Sequence, residues 1–182
     1  MSQGRTIDDV IDRAVQELDL EAKVTLLTGA AAFSLHGNDA IGLRPMIFSD
    51  GPTGVRGSEF VGGKRVALFP NATLLAQAWD ETAAERVGEM LAGEGRSQDV
   101  DVVLGPTVNL HRSPLGGRLF EAYAEDPLLS GRLAAAYIRG IQRYGVGACV
   151  KHYVANEAET ERRTVDVRVT GAALRELYLL PF

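Results

Sequence analysis

The apolar positions of the chain follow two patterns: some recur every three or four residues, others run unbroken for about five. Ile7, Val10, Ile11, Ala14, Val15 and Leu18 keep helical spacing. Thr6 with Asp9 three residues later makes a capping box with Asp in the place of Glu. A helix is therefore expected over 7–18. Asp19 caps a second short helix, Leu20 to Thr28, and Gly29 stops it. Residues 1–29 read as a helical preamble packed on the outside of the domain. Residues 30–45 are small-rich and irregular, with His36 as a bystander.

From residue 46 the periods alternate. Met46-Ile-Phe48 is a short buried-strand signal running into the turn Ser49-Asp-Gly-Pro-Thr-Gly-Val-Arg-Gly57. Residues 58–70 read as a loop with Lys64 and Arg65 solvated, and Asn71 to Ala78 as one or two helical turns. Asp80 caps a longer helix to about Ser97, with Ala84, Val87 and Leu91 toward the core and Glu81 and Glu85 near the positive end of its dipole. Val100 to Leu104 is nearly continuous in apolar residues, as a parallel strand covered on both faces should be. Gly105 to Pro127 is a long polar loop, and unstructured loops of that length tend to be functional. Asp126 with Pro127 opens the next helix. Its stripe is Leu133, Tyr137, Ile138, Ile141 and Tyr144, and Gly145 ends it. Val146 to Val150 is a third strand, Val165 to Val169 an edge strand or extended segment, and Thr170 caps a last helix.

The order is strand, helix, strand, helix, strand, helix. The fold class is α/β with parallel strands, about three βα units. Polar loops at the exits of such strands are where α/β barrels and open sheets put their ligands.

Composition narrows the function. The chain has 182 residues, 46% of them apolar, enough for one ordinary domain. Its net charge is −5, from 19 basic and 24 acidic residues, with no basic stripe, which argues against nucleic acid as the main partner. The N-terminus is polar and no apolar run approaches membrane-spanning length, so no membrane is expected and the cytoplasm is the default. Cys149, the single cysteine, excludes an internal disulfide and reads as a buried inert thiol.

The strand ends carry Asp50 with Arg56, Arg112 with Arg118, and Lys151 with His152. Parallel strands bring their carboxyl ends to one rim, so these groups can converge. One carboxylate, several fixed cations and an imidazole suit a ligand covered in hydroxyls, and they also suit phosphate. No GxGxxG or Walker loop supports phosphate, no histidine pair or carboxylate cluster has metal-ligand spacing, and no GxSxG elbow supports a serine hydrolase. The plainer reading is that the charges brace long loops, with Arg118 pairing with Glu121 or Glu125.

The stretches Ser49-Asp-Gly-Pro-Thr-Gly-Val-Arg56, Gly105 through Arg118 to Asp126, and Lys151-His-Tyr-Val-Ala-Asn156 resemble the N-terminal domain of glycoside hydrolase family 3, β-glucosidase type. The resemblance runs from about Leu20 to Phe182. It implies a (β/α)8 TIM-type barrel, usually followed by a second α/β domain, and retaining hydrolysis of terminal β-glycosidic bonds. No cofactor and no metal is expected. Asp50, Arg56, Arg118, Lys151 and His152 would bind the sugar of subsite −1, in a small β-glucoside or oligosaccharide. His111 and Arg112 match the motif as loop-holding residues. Lys151-His152 lacks the Pro-Gly turn and the downstream histidine of the β-N-acetylglucosaminidase branch, which favours glucosidase- or xylosidase-like members.

Retaining hydrolysis needs two carboxyl groups about 5 Å apart. In the resembled family the nucleophile lies on a later barrel strand and the acid/base usually in the second domain. The only tryptophan, Trp79, precedes a helix cap, Asp80, so neither catalytic carboxylate is expected in this chain. A complete barrel takes roughly 250 residues. The expectation is an incomplete N-terminal barrel domain over 1–182, with the preamble at 1–29 and the first βα units at 30–182. The rest of the barrel and the second domain would belong to a missing C-terminal portion of the same chain, and the fragment alone would be inactive. The alternative is a non-catalytic carbohydrate-binding remnant of the same fold.

Overall fold

The computed structural model describes residues 6–57 and 63–182, which form two compact units, one up to Ile47 and one from Phe48. Among the described residues no helix is long and apolar enough to cross a membrane.

The first unit opens with α1, Ile7–Glu17. The capping box is complete: Asp9 N–H donates to Thr6 Oγ1 at 3.2 Å and Thr6 N–H to Asp9 Oδ2 at 2.8 Å. The expected apolar stripe is exposed at Ile7, Val10, Ile11 and Val15. α2, Leu20–Leu26, is capped by Asp19, which accepts from Ala22 N–H at 2.8 Å. Residues 30–45 are not wholly irregular as the sequence suggested. β1, Gly29–Ala31, pairs antiparallel with β2, Ser34–Leu35, and a 3₁₀ turn, Asp39–Ile41, follows.

In the second unit β3, Phe48–Asp50, β4, Val102–Leu104, and β5, Gly147–Ala148, form one sheet in the order β3-β4-β5, all parallel. Phe48 pairs with Val102, Ser49 with Val103, Asp50 with Leu104, and Val103 with Ala148. This is the first stretch of a TIM-type barrel. β3 starts two residues later than the sequence suggested, because Ile47 bridges Ser34 in the first unit. Only Ser49 and Val103 are fully buried in β3 and β4, and their neighbours are half-buried. The sheet is thus not covered equally on both faces. Cys149 is exposed, not buried, because it follows β5 at the side of the sheet with one strand neighbour. The chain 165–169 is neither strand nor helix.

Two helices carry the core. α3, Ala72–Ala76, is short. α4, Glu81–Ser97, and α5, Pro127–Gln142, begin where their aspartate caps predicted, with Asp80 accepting from Thr82 N–H and Asp126 from Leu128 and Leu129 N–H. Ala84, Val87 and Leu91 of α4 and Leu133, Tyr137 and Ile141 of α5 are buried. Ile138 is half-buried. Tyr144 is 45% exposed, because α5 ends at Gln142 and the expected periodicity does not continue past it. The backbones meet at Gly88 and Gly140. A Cβ on Gly88 would lie 2.2 Å from the Tyr137 carbonyl oxygen, and one on Gly140 2.1 Å from that of Glu85. Arg132 and Arg139 of α5, with Arg143 just past its end, pair with Glu81, Glu85 and Glu89 of α4. Exposed pairs of this kind each add at most about 1 kcal/mol, so apolar packing dominates the contact.

The last helix is capped by Thr170 as expected, but α6 spans only Gly171–Ala173 before the chain widens into a π-helical turn, Leu174–Tyr178. The Gly105–Pro106, Lys151–His152 and Tyr153–Val154 peptides are cis.

Candidate sugar-binding rim

The three parallel strands end at Asp50, Leu104 and Ala148, and the chain beyond each end builds one rim. Asp50 is the last residue of β3. Its turn is held by backbone and by Ser49: Arg56 N–H donates to the Asp50 carbonyl at 3.0 Å, and Gly57 N–H to Ser49 Oγ at 2.8 Å. The Asp50 carboxylate is therefore not the clasp of its own turn. The backbone ladder also continues past β4 and β5. Lys151 N–H donates to the Pro106 carbonyl at 2.9 Å and Val108 N–H to the Lys151 carbonyl at 2.7 Å. Thr107 bridges both Lys151 and Ala122, which ties the long loop to the strand exits.

Four of the five residues singled out from sequence join one network. Lys151 Nζ donates to Asp50 Oδ1 at 2.8 Å and lies 3.8 Å from Glu121 Oε2. Glu121 Oε1 accepts from Arg118 Nε. Arg118 Nη2 meets His152 Nε2 at 3.0 Å. The charges are paired, as the bracing reading requires, but the pairs are links in a single chain from β3 to the segment after β5. The fifth residue, Arg56, sits in the Asp50 turn with an exposed side chain. Arg118, Glu121 and His152 line one cleft with Thr107 and Asn109, and Asp50 and Lys151 adjoin it through the Lys151–Glu121 contact.

His111 Nε2 lies 3.0 Å from the carbonyl oxygens of both Leu119 and Ala122, where it holds the 3₁₀ turn Leu119–Glu121. Arg112 stacks over the Tyr178 ring at 6.0 Å. Both behave as loop holders.

Sequence reasoning passed over two buried members of the rim as site residues. Glu121 is the anion between Arg118 and Lys151, and it also accepts from Thr107 Oγ1 at 3.3 Å. Its position three residues after Arg118 was the available signal. Asn109 accepts from His152 N–H at 3.0 Å and contacts His152 Nδ1 at 2.8 Å. Nothing in the sequence marks it, since its partners lie more than forty residues away.

The electrostatics follow from burial and neighbours. Burial, and then the charges of Arg118 and Lys151, push the His152 imidazole down to about 4, with Glu121 acting in the opposite sense. Burial works against the charge of Arg118, but the hydrogen bond and charge of Glu121, with Glu159 behind them, outweigh it and raise its pKa. At neutral pH the rim thus holds a neutral imidazole beside fixed cations. A histidine in the unfolded chain titrates near 6.5. Between about 6.5 and about 4 the unfolded state binds the proton and the folded state does not, so folding stability is intact above this window and falls as pH drops through it. The wild-type chain is expected to lose stability relative to His152→Gln between pH 7.5 and pH 4.5. Urea midpoints for the two proteins check this, and a difference that stays constant with pH refutes it.

The chain is similar to known proteins over nearly its whole length. Residues 16–182 match the glycosyl hydrolase family 3 N-terminal domain. The chain is 50% identical over 172 residues to beta-glucosidase B of Emericella nidulans, covering 94% of this chain and 20% of that protein. It is 45% identical over 177 residues to a beta-glucosidase of Rhizobium radiobacter, covering 97% and 21%. Among solved structures it resembles beta-glucosidase 3B of Thermotoga neapolitana in complex with glucose, with a TM-score of 0.88, 38% identity and coverage of 94% of this chain and 27% of that one. It also resembles the beta-glucosidase of Kluyveromyces marxianus in complex with glucose, with a TM-score of 0.91, 38% identity and coverage of 95% and 21%. The chain spans about a fifth of the length of these curated relatives. With a match over nearly all its residues and the parallel βα succession of such a barrel, the chain belongs to the glycosyl hydrolase family 3 N-terminal domain family.

Proposed function

We propose that this chain is the N-terminal part of a β-glucosidase-like glycoside hydrolase that cleaves terminal β-glycosidic bonds with retention, and that its rim is the −1 sugar subsite. The observation that carries this reading is the single chain of hydrogen bonds and ion pairs Asp50–Lys151–Glu121–Arg118–His152 across the ends of three parallel strands. Relatives solved with glucose bound support a sugar as the ligand.

The roles follow from donor and acceptor chemistry. Asp50, with its side chain 39% exposed, accepts from ring hydroxyls, while Lys151 beside it donates. A hydroxyl entering between Arg118 and His152 donates to Nε2 and accepts from Nη2. Arg56 reaches the same sugar from the Asp50 turn. The nucleophile and the acid/base, which retention requires about 5 Å apart, belong to the segments that complete the barrel and to a second domain. Glu121 is unsuited to either part, because it is buried and engaged by Arg118 and Thr107.

Two measurements test this. The 182-residue chain alone is expected not to turn over an aryl β-glucoside, and turnover that disappears with Asp50→Ala would put the catalytic groups inside it. In the longer protein that carries this segment, Asp50→Ala removes a charged hydrogen-bond acceptor for the sugar and should lower kcat/KM by roughly 10²-fold. An unchanged kcat/KM removes Asp50 from the subsite.

A further inference from the structure

We propose that Asn109 is a positioning residue: it locks His152 as the Nδ1–H tautomer and so leaves Nε2 as the acceptor that faces Arg118. The geometry of the lock stands by itself, and its consequence for sugar binding rests on the function proposed above.

Asn109 is 9% exposed and lies beyond β4 between buried Val108 and Leu110. Its Nδ2 donates to the Asn156 carbonyl at 3.0 Å and to Glu157 Oε1 at 3.3 Å. Both partners accept, so they decide which way the amide faces. Glu157 Oε1 is itself held in place by Leu110 N–H at 3.3 Å. Oδ1 is left pointing at His152, where it accepts from the backbone N–H at 3.0 Å and meets Nδ1 at 2.8 Å. An amide oxygen has only lone pairs to offer, so the proton of the neutral ring sits on Nδ1.

The other ring nitrogen confirms the direction independently. Nε2 faces Arg118 Nη2 at 3.0 Å, and a guanidinium has only donors. The opposite tautomer would set N–H against N–H at Arg118 and lone pair against lone pair at Asn109. The other links of the rim have directions fixed by their own groups, since guanidinium and ammonium only donate and carboxylates only accept. Arg118 gives its Nε–H to Glu121, whose second oxygen takes the Thr107 hydroxyl and faces the Lys151 ammonium, which in turn donates to Asp50. One amide thus leaves Nε2 as the acceptor that faces Arg118 and closes Nδ1 to any ligand.

Nitrogen-15 NMR of the imidazole in the 182-residue chain at pH 7 tests the lock. The expected wild-type spectrum has Nδ1 at the shift of a protonated nitrogen and Nε2 at that of an unprotonated one. The reverse assignment, or two averaged shifts, overturns the proposal without any variant. Asn109→Ala removes one of the two groups that fix the ring and, with Arg118 still at Nε2, is expected to move the two shifts part of the way toward their average. A pure Nδ1–H tautomer in a folded Asn109→Ala protein refutes the lock, and if that variant does not fold the wild-type spectrum decides. Glucose added to the wild type separates the two readings. A locked tautomer with a His152 Nε2 shift that glucose leaves unmoved upholds the positioning role and counts against the sugar reading.

Discussion

Gly140→Ala is expected to destabilise the chain by about 3 kcal/mol, although alanine is the better helix former by about 1 kcal/mol. The added methyl would stand 2.1 Å from the Glu85 carbonyl oxygen and 2.9 Å from the Glu89 nitrogen. Both are backbone atoms of α4, so no side chain can swing aside. The helices must part, and Leu91, Leu133, Tyr137 and Ile141, all at 0 or 1% exposure, lose contact together. Forced overpacking costs typically 1–3 kcal/mol and more where backbone blocks relief, while a whole domain has only about 5–15 kcal/mol to lose. For a chain of this size, about 3 kcal/mol corresponds to a Tm lowered by roughly 6–12 °C. Gly93→Ala is the matched control. It lies in the same α4, and a Cβ there would meet nothing within 4 Å. It should stabilise by about 0.5–1 kcal/mol. Urea denaturation of the two variants gives opposite signs if close approach is the reason for Gly140. Equal shifts in the same direction would mean that the glycine is tolerated rather than required.

The features that were legible in the sequence are those decided within a few residues. Asp80 and Asp126 cap α4 and α5 at the expected places because a capping carboxylate meets N–H groups two or three positions ahead. The parallel order of β3, β4 and β5 follows from strands separated by helices long enough to cross over. What was not legible depends on distant partners. The hairpin β1–β2 is built from Gly29, Ala30 and Ala31, which carry no strand signal of their own. β3 begins at Phe48 because Ile47 is bound to Ser34, and Cys149 is exposed because its apolar run borders the sheet on one side. The rim divides in the same way. The turn chemistry at Asp50 and the cationic loop at Arg118 marked their own positions. The connections that make them one array run through Glu121 and Asn109, which any loop of this polarity contains.

Glu121 is where stability and the proposed site meet, and Glu121→Gln is expected to cost about 2–3 kcal/mol. The carboxylate is 8% exposed as a side chain and stands between Arg118 at 27% and Lys151 at 14%. Gln keeps the shape but leaves two cations without the anion between them, and its amide presents donors to donors. Breaking a fully buried pair costs about 3–5 kcal/mol, and partial access of water to Arg118 brings the figure down. Lys151 keeps Asp50, so the loss concentrates on Arg118, which retains the neutral His152 Nε2 at 3.0 Å and the Glu159 carboxylate at 3.6 Å. The same change has a signature that simple destabilisation lacks. Among the described residues Glu121 holds the His152 imidazole up against Arg118, Lys151 and Arg162, so its removal should move the histidine titration further down from about 4. Thermal unfolding together with the His152 titration checks both parts. A variant within about 0.5 kcal/mol of wild type, the ordinary range for a surface change, would mean that the cations are held by the loop itself and that Glu121 only fills space.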